Sequence, residues 1–182
     1  VDDTIVELSN INLNYYHKSA SNKLKLLNKI KGISFQVNGE LFHNVARPQI
    51  KELDDLPFVS QVYKKYLDVN KYFFAACDYP MVMIMSVRGC TDRCTFCVYP
   101  YTIHGLKYRM RSAENLVNEF EWIEKNMPEV KEIGMEDDNF SGSRKRIHDF
   151  CNLIIKKNIN IKWYTNVRVN IDYETLLLMK KA

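Results

Sequence analysis

Three thiols crowd one short stretch of this sequence. Arg88-Gly-Cys90-Thr-Asp-Arg-Cys94-Thr-Phe-Cys97 has the spacing Cys-x3-Cys-x2-Cys. Thiolates are the soft donors that iron–sulfur clusters and zinc select. Three donors in one loop can wrap three corners of a cubane cluster. Such a cluster takes four ligands, so one iron is left for an outside ligand, the logic of a catalytic metal that keeps an open position. Gly89 permits a sharp turn ahead of the first thiol, and the loop's N–H groups can donate to sulfides and tune the potential. The competing chemistry is a zinc site using the same cysteines plus His104, seven residues beyond Cys97. Five cysteines in all, an odd number, argue against a disulfide scaffold. Clustered thiols in an intracellular chain bind metal or do chemistry, and the cytoplasm is the expected compartment.

Regular elements must carry that loop. The apolar run at residues 81–85 reads as a strand buried on both faces and leads directly into it. Ser112 can N-cap a helix running to Asn126, with Leu116, Val117, Phe120 and Ile123 at helical spacing, and Pro128 ends it. Residues 130–135 form a second strand, and Ser141 or Ser143 caps a helix with Ile147, Phe150, Cys151 and Ile154 on one face. Residues 161–165 form a third strand, and Asp172 caps a last helix. Three strand–helix alternations predict a parallel sheet with crossover helices, short of the eight units that close a barrel. Ligands of such sheets bind at the carboxyl ends of the strands. The second strand exits there through Glu136-Asp137-Asp138-Asn139-Phe140, and the third through Asn166-Val-Arg168. A carboxylate at such an exit accepts from an ammonium or caps the following helix.

Upstream, residues 23–30 suggest a helix, and residues 33–42 alternate around Asn38-Gly39, a strong hairpin signal. A charged connector lies between Pro48 and Pro57. Residues 58–80 hold a short helix (Val62, Tyr63, Tyr66, Leu67) and the apolar Tyr72-Phe73-Phe74.

The thiol spacing, with Phe96 before the last cysteine at the end of a first barrel strand, resembles the radical S-adenosylmethionine superfamily. The resemblance implies a 4Fe–4S cluster on Cys90, Cys94 and Cys97, with the amino and carboxylate groups of S-adenosylmethionine on the fourth iron. One electron then cleaves the sulfonium to a 5′-deoxyadenosyl radical that abstracts a substrate hydrogen. The cofactor brings that chemistry, and the protein ligates, orients and excludes oxygen and water. The implied fold is α/β, a partial (β/α) barrel of about three units. Asp137 and Asp138 take the position that holds the methionine amino group in the superfamily, Asn166 or Arg168 reaches the ribose or carboxylate, Phe96 joins the cofactor-binding set, and Tyr99-Pro100-Tyr101 contacts the adenine or packs against the sheet.

Asp-Asp-x-Phe at residues 137–140, the Tyr108-Arg-x-Arg-Ser112 run, Arg47-Pro48-Gln-Ile50 and Leu53-Asp-Asp-Leu-Pro-Phe58 resemble the branch that carries an N-terminal cobalamin-binding domain. Within it, the stretch from Pro100 to Ser112 and Met127-Pro-Glu-Val-Lys-Glu132 look most like enzymes of hopanoid-lipid biosynthesis. On this reading residues 1–57 are the remnant of a preceding domain with its hairpin and linker, and residues 58–182 are the first half of the radical core. Asp-x-His-x-x-Gly, the cobalamin motif, is absent from this sequence, so cobalamin is expected only in a longer parent. The chain opens at Val1 and closes on Lys-Lys-Ala, which reads as a fragment. A small-molecule substrate and an electron donor such as flavodoxin or ferredoxin are the implied partners.

The length of 182 residues and a composition 46% hydrophobic and 26% charged exclude a disordered or fibrous chain. Net charge is only +4, no electrostatic footprint for nucleic acid. No apolar run approaches the ~20 residues that span a bilayer. Two other classes stand beside the radical enzyme: a zinc-stabilised binding module, and a tRNA methylthiotransferase-like enzyme, whose relatives carry further cysteines upstream where only Cys77 stands here. Arg109 and Arg111 read as a salt bridge or an anion clamp, Cys77 and Cys151 as core fillers, and His17, His43 and His148 show no partner spacing. Substrate and final reaction stay open.

Overall fold

Asn38 and Gly39 both adopt positive φ, 52° and 88°, the combination a type I′ hairpin needs. They turn β1 (Ser34–Val37) back on β2 (Glu40–His43), pairing Phe35 with Phe42 so that the rings stack at 5.4 Å. The computed structural model describes residues 2–11, 19–102 and 104–182; His17 lies outside them. It divides the chain into two compact units, Val1–Ile50 and Lys51–Ala182. In the first, α1 (Asp2–Ser9) and α2 (Ala20–Leu27) accompany the hairpin. Arg47 ties this unit together through Thr4 Oγ1 at 2.8 Å and Glu7 Oε2 at 2.5 Å. Asn44 Nδ2 donates to the carbonyls of Leu27 and Ile30, both at 2.7 Å, satisfying acceptors that a helix end leaves open.

The second unit is built on three parallel strands in the order β3 (Met81–Ile84), β6 (Glu132–Met135), β7 (Lys162–Thr165). Two shorter strands, β4 (Val87–Arg88) and β5 (Arg109–Met110), pair antiparallel beside it. The helices are α3 (Val59–Tyr66), α4 (Tyr99–Thr102), α5 (Ala113–Asn126), α6 (Arg144–Lys157) and α7 (Tyr173–Lys181). The described strands form a mixed α/β architecture with an open parallel sheet and no closed barrel. Among the described residues no helix is long and apolar enough to cross a membrane.

Side-chain caps set the helix starts. Ser112 Oγ accepts from Asn115 N at 3.0 Å, and Asp172 Oδ1 from Thr175 N at 2.9 Å. Ser143 rather than Ser141 caps α6, accepting from Arg146 N at 3.3 Å. Ser141 instead bonds Asn139, closing a 3-10 turn at Phe140–Gly142.

One face of the sheet is dry. Val82, Ile84, Ile133 and Met135 meet Leu116, Val117, Phe120 and Ile123 of α5 and Ile147, Phe150, Cys151 and Ile154 of α6, all buried. Phe150 stands edge-on to Phe120 at 5.2 Å and to Trp163 at 5.3 Å, a geometry that adds to area burial. On the opposite face Gly134 makes a notch between its partners Met83 and Tyr164, whose atoms come within 2.5 and 2.6 Å of where a Cβ would stand. Phe74 stacks on Tyr164 at 6.4 Å. The Tyr164 hydroxyl donates to Met83 Sδ at 3.4 Å; Cys77 is half-buried, so of the two expected core thiols only Cys151 is fully buried.

Beneath the sheet's carboxyl edge lies a buried ion pair. Arg111 Nη1 is 2.5 Å from Glu119 Oε2, and Ser60 donates to Glu119 Oε1 from its N–H at 3.1 Å and its hydroxyl at 2.8 Å. Glu119 is wholly buried. The choice left open for Arg111 falls to the salt bridge. Removing one partner strands a buried charge, so Glu119→Ala is expected to cost about 3–5 kcal/mol, read as a lower midpoint in urea denaturation.

Candidate functional site

The chain leaves β3 at Met85 and must satisfy the backbone N–H groups of the turn that follows. Asp137, at the exit of β6, does this from across the sheet. Its Oδ1 accepts from Ser86 N at 2.6 Å and from Val87 N at 2.8 Å, and its Oδ2 accepts from the Ser86 hydroxyl. Burial pushes the Asp137 carboxyl up from the ordinary range, and these donors oppose that shift. Asp138 continues the clamp: its Oδ2 accepts from Gly89 N at 2.8 Å and lies 2.8 Å from His104 Nδ1. One carboxylate thus grips both ends of the cysteine loop.

The loop is closed at its neck. β4 pairs with β5 through Val87 with Met110 and Arg88 with Arg109. Cys90 N donates to Gly105 O at 3.3 Å, and Arg109 Nη2 to His104 O at 2.8 Å. Gly89 sits at φ 88°, and a Cβ there would stand 2.1 Å from Lys107 O. The Tyr108 ring lies over Gly142 and its hydroxyl donates to Asn139 O at 3.0 Å; burial raises this phenol to about 12. From behind, Arg146 Nε donates to Arg111 O at 2.7 Å and its Nη2 to Ser86 O at 3.3 Å.

Within this frame Cys90 and Cys97 are half-buried and Cys94 is exposed; all are free thiols. Cys97 N donates to Cys94 O at 3.0 Å. Burial pushes the Cys90 thiol up, and the neighbouring Asp92 carboxylate adds to the rise. Among the described residues no three His, Cys, Asp or Glu side chains gather closely enough to hold a metal ion, so the thiols share a loop without converging. The donors nonetheless fit an iron–sulfur cluster in type and number: three unbridged sulfurs within eight residues. The stretch from Arg93 to Phe96 is exposed and lies outside the sheet. Around them Phe96 is 90% exposed, and Tyr99 and Tyr101 also present their rings to solvent.

The other expected site residues fall into two groups. Asp137 engages Ser86 and Val87 with both oxygens and Asp138 engages Gly89 N and His104 with Oδ2, so both fasten the loop. Asn166 and Arg168 lie at the β7 exit, both exposed. Asn166 Nδ2 donates to Asp137 O at 3.4 Å. Arg168 pairs with Asp92, inside the cysteine loop. Sequence reasoning missed the β4–β5 pairing and the part played by Asp92. Each β strand there is two residues long, too short for any periodicity, and Asp92 reads as an ordinary loop acid.

Comparison with known proteins places this geometry. Residues 84–182, more than half of the chain, match the model of the Radical SAM superfamily. The chain belongs to the radical SAM superfamily. It is 30% identical over 151 residues to an uncharacterized methyltransferase of Pyrococcus horikoshii, covering 83% of this chain and 31% of that protein. It is 27% identical over 159 residues to an anaerobic magnesium-protoporphyrin IX monomethyl ester cyclase of Synechocystis, covering 86% of this chain and 30% of that protein. A protein of the same name from Rubrivivax gelatinosus is 26% identical over 159 residues. The chain therefore spans under a third of these relatives' length. Radical SAM proteins are as a family enzymes of iron–sulfur and S-adenosylmethionine chemistry.

Gly89 is the residue on which closure of this radical SAM loop depends. Gly89→Ala is expected to lose about 1–3 kcal/mol of stability, seen in urea denaturation, and to expose the loop to limited proteolysis between β4 and β5.

Proposed function

We propose that this chain is the cluster-bearing part of a radical SAM enzyme, with Cys90, Cys94 and Cys97 as the three protein ligands of a 4Fe–4S cluster. The observation that carries the reading is the position of the thiol loop. It leaves the first parallel strand at the sheet's carboxyl edge and is gripped there by two carboxylates from the next strand, where ligands of α/β sheets bind. When bound, the cluster and S-adenosylmethionine supply one-electron reductive cleavage of a carbon–sulfur bond.

The chain's own residues hold and shield that site. Asp137 and Asp138 fix the entry and exit of the loop. Phe96 and Tyr99 offer exposed rings against which a flat heterocycle can stack. Asn166, at the end of β7, presents a polar group on the same edge. Met83, Gly134 and Tyr164 form the sheet face below, where a small organic substrate would lie. Cobalamin use by a longer parent is supported by the linker segments around Arg47-Pro48 and Leu53–Phe58 and by the Asp-Asp-x-Phe run. The relatives' names, a methyltransferase and a cyclase, support a methyl-transfer or ring-forming reaction on a small molecule in a longer parent, with a flavodoxin- or ferredoxin-type protein as electron source.

Anaerobic reconstitution tests this reading. The protein is expected to take up roughly four iron and four sulfide, with a broad thiolate-to-iron absorbance that bleaches on reduction by dithionite. Alanine at any one of Cys90, Cys94 or Cys97 is expected to remove most of that absorbance, whereas Cys151→Ala leaves it. Zinc retained at one per chain with no sulfide uptake would overturn the assignment.

A further inference from the structure

Asp92 stands between the first two thiols, and its carboxylate is held from two sides. Its Oδ2 lies 3.5 Å from Cys90 Sγ and accepts from Asn139 Nδ2 at 3.5 Å, while its Oδ1 accepts from Arg168 Nη1. The Arg168 end is itself fixed. Its backbone N–H donates to Ser141 Oγ at 3.0 Å, and that hydroxyl donates to Asn139 Oδ1 at 2.6 Å. Phe140 N donates to Asn166 O at 2.9 Å, joining the exits of β6 and β7. The guanidinium thus comes from one anchored strand exit, its carboxylate partner from the thiol loop, and 76 residues separate them.

An acid beside a thiol ligand is unfavourable by itself. Carboxylate and thiolate repel, and a cluster that gains an electron becomes more negative still. A guanidinium on the far oxygen offsets that field.

We propose that Asp92 and Arg168 form a charge-compensating pair that sets the reduction potential of the centre on the neighbouring thiols. Arg168 is a positioning residue in this role, acting through Asp92. The inference rests on the cluster assignment above and deepens it.

The two single variants separate this role from simple loop fastening, because they leave opposite charges behind. Arg168→Gln leaves an uncompensated carboxylate, so the midpoint potential should move negative. Asp92→Asn leaves an uncompensated guanidinium, so it should move positive. The double variant should return close to the parent, and Arg168→Lys, which keeps the charge, should shift less than Arg168→Gln. The measurement is an anaerobic spectroscopic redox titration of the reconstituted full chain, with iron and sulfide contents and circular dichroism recorded for each variant. Both side chains are partly exposed, so the folded spectrum should persist. Shifts of the same sign in both single variants, or none in either, would overturn the proposal while leaving the cluster assignment in place. Failure of the unsubstituted protein to bind iron and sulfide would overturn both.

Discussion

Where a chain leaves a parallel strand to form a loop, its N–H groups lose their ladder partners while still close to the core. Buried N–H groups without acceptors are costly. Asp137 and Asp138 meet that demand at Ser86, Val87 and Gly89. Because the acceptors belong to the exit of β6, this satisfaction also fixes where the thiol loop begins relative to the sheet. The β4–β5 pairing, the sharp turn at Gly89 and the Arg146 bonds to Ser86 and Arg111 carbonyls all build on that starting point.

The two faces of the sheet divide the work. The face against α5 and α6 is filled by interlocking aromatic and branched side chains, close-packed as interiors are. The other face carries Gly134, Met83 and Tyr164, with the polar exits of β6 and β7 along its upper edge. A rigid core on one side and hydrogen-bonded polar chains along one edge give a support on which exposed groups such as Phe96 and Cys94 can be placed. Catalytic and binding groups are commonly carried on loops held by such scaffolds.

Much of the radical SAM unit was legible in the sequence because its signals are local. Ser112 and Asp172 cap the helices the periodicity predicts, and residues 81–85, 130–135 and 161–165 mark the strands to within two residues. Asn38-Gly39 announces its hairpin. The choice between Ser141 and Ser143 did not yield to the same rule, because each is a good capping residue. It turns on Asn139, which engages Ser141. At the β6 exit the residue types suit a ligand's ammonium, a helix cap or a loop N–H equally well. A backbone N–H that needs an acceptor looks the same in a sequence as one that has one.

By itself the sequence determined the three-thiol spacing, the alternation of the three parallel strands with their helices, and hence the family and its parallel sheet. Those follow from residue type and from contacts within four positions along the chain. Only the tertiary structure decided that Asp138 reaches Gly89 and His104, that Arg111 pairs with Glu119, and that Arg168 meets Asp92. Partners like Asp138 and Gly89, or Arg168 and Asp92, stand 49 and 76 residues apart. Which charge or N–H they find depends on how twisted strands stack side by side, a geometry that no local pattern encodes.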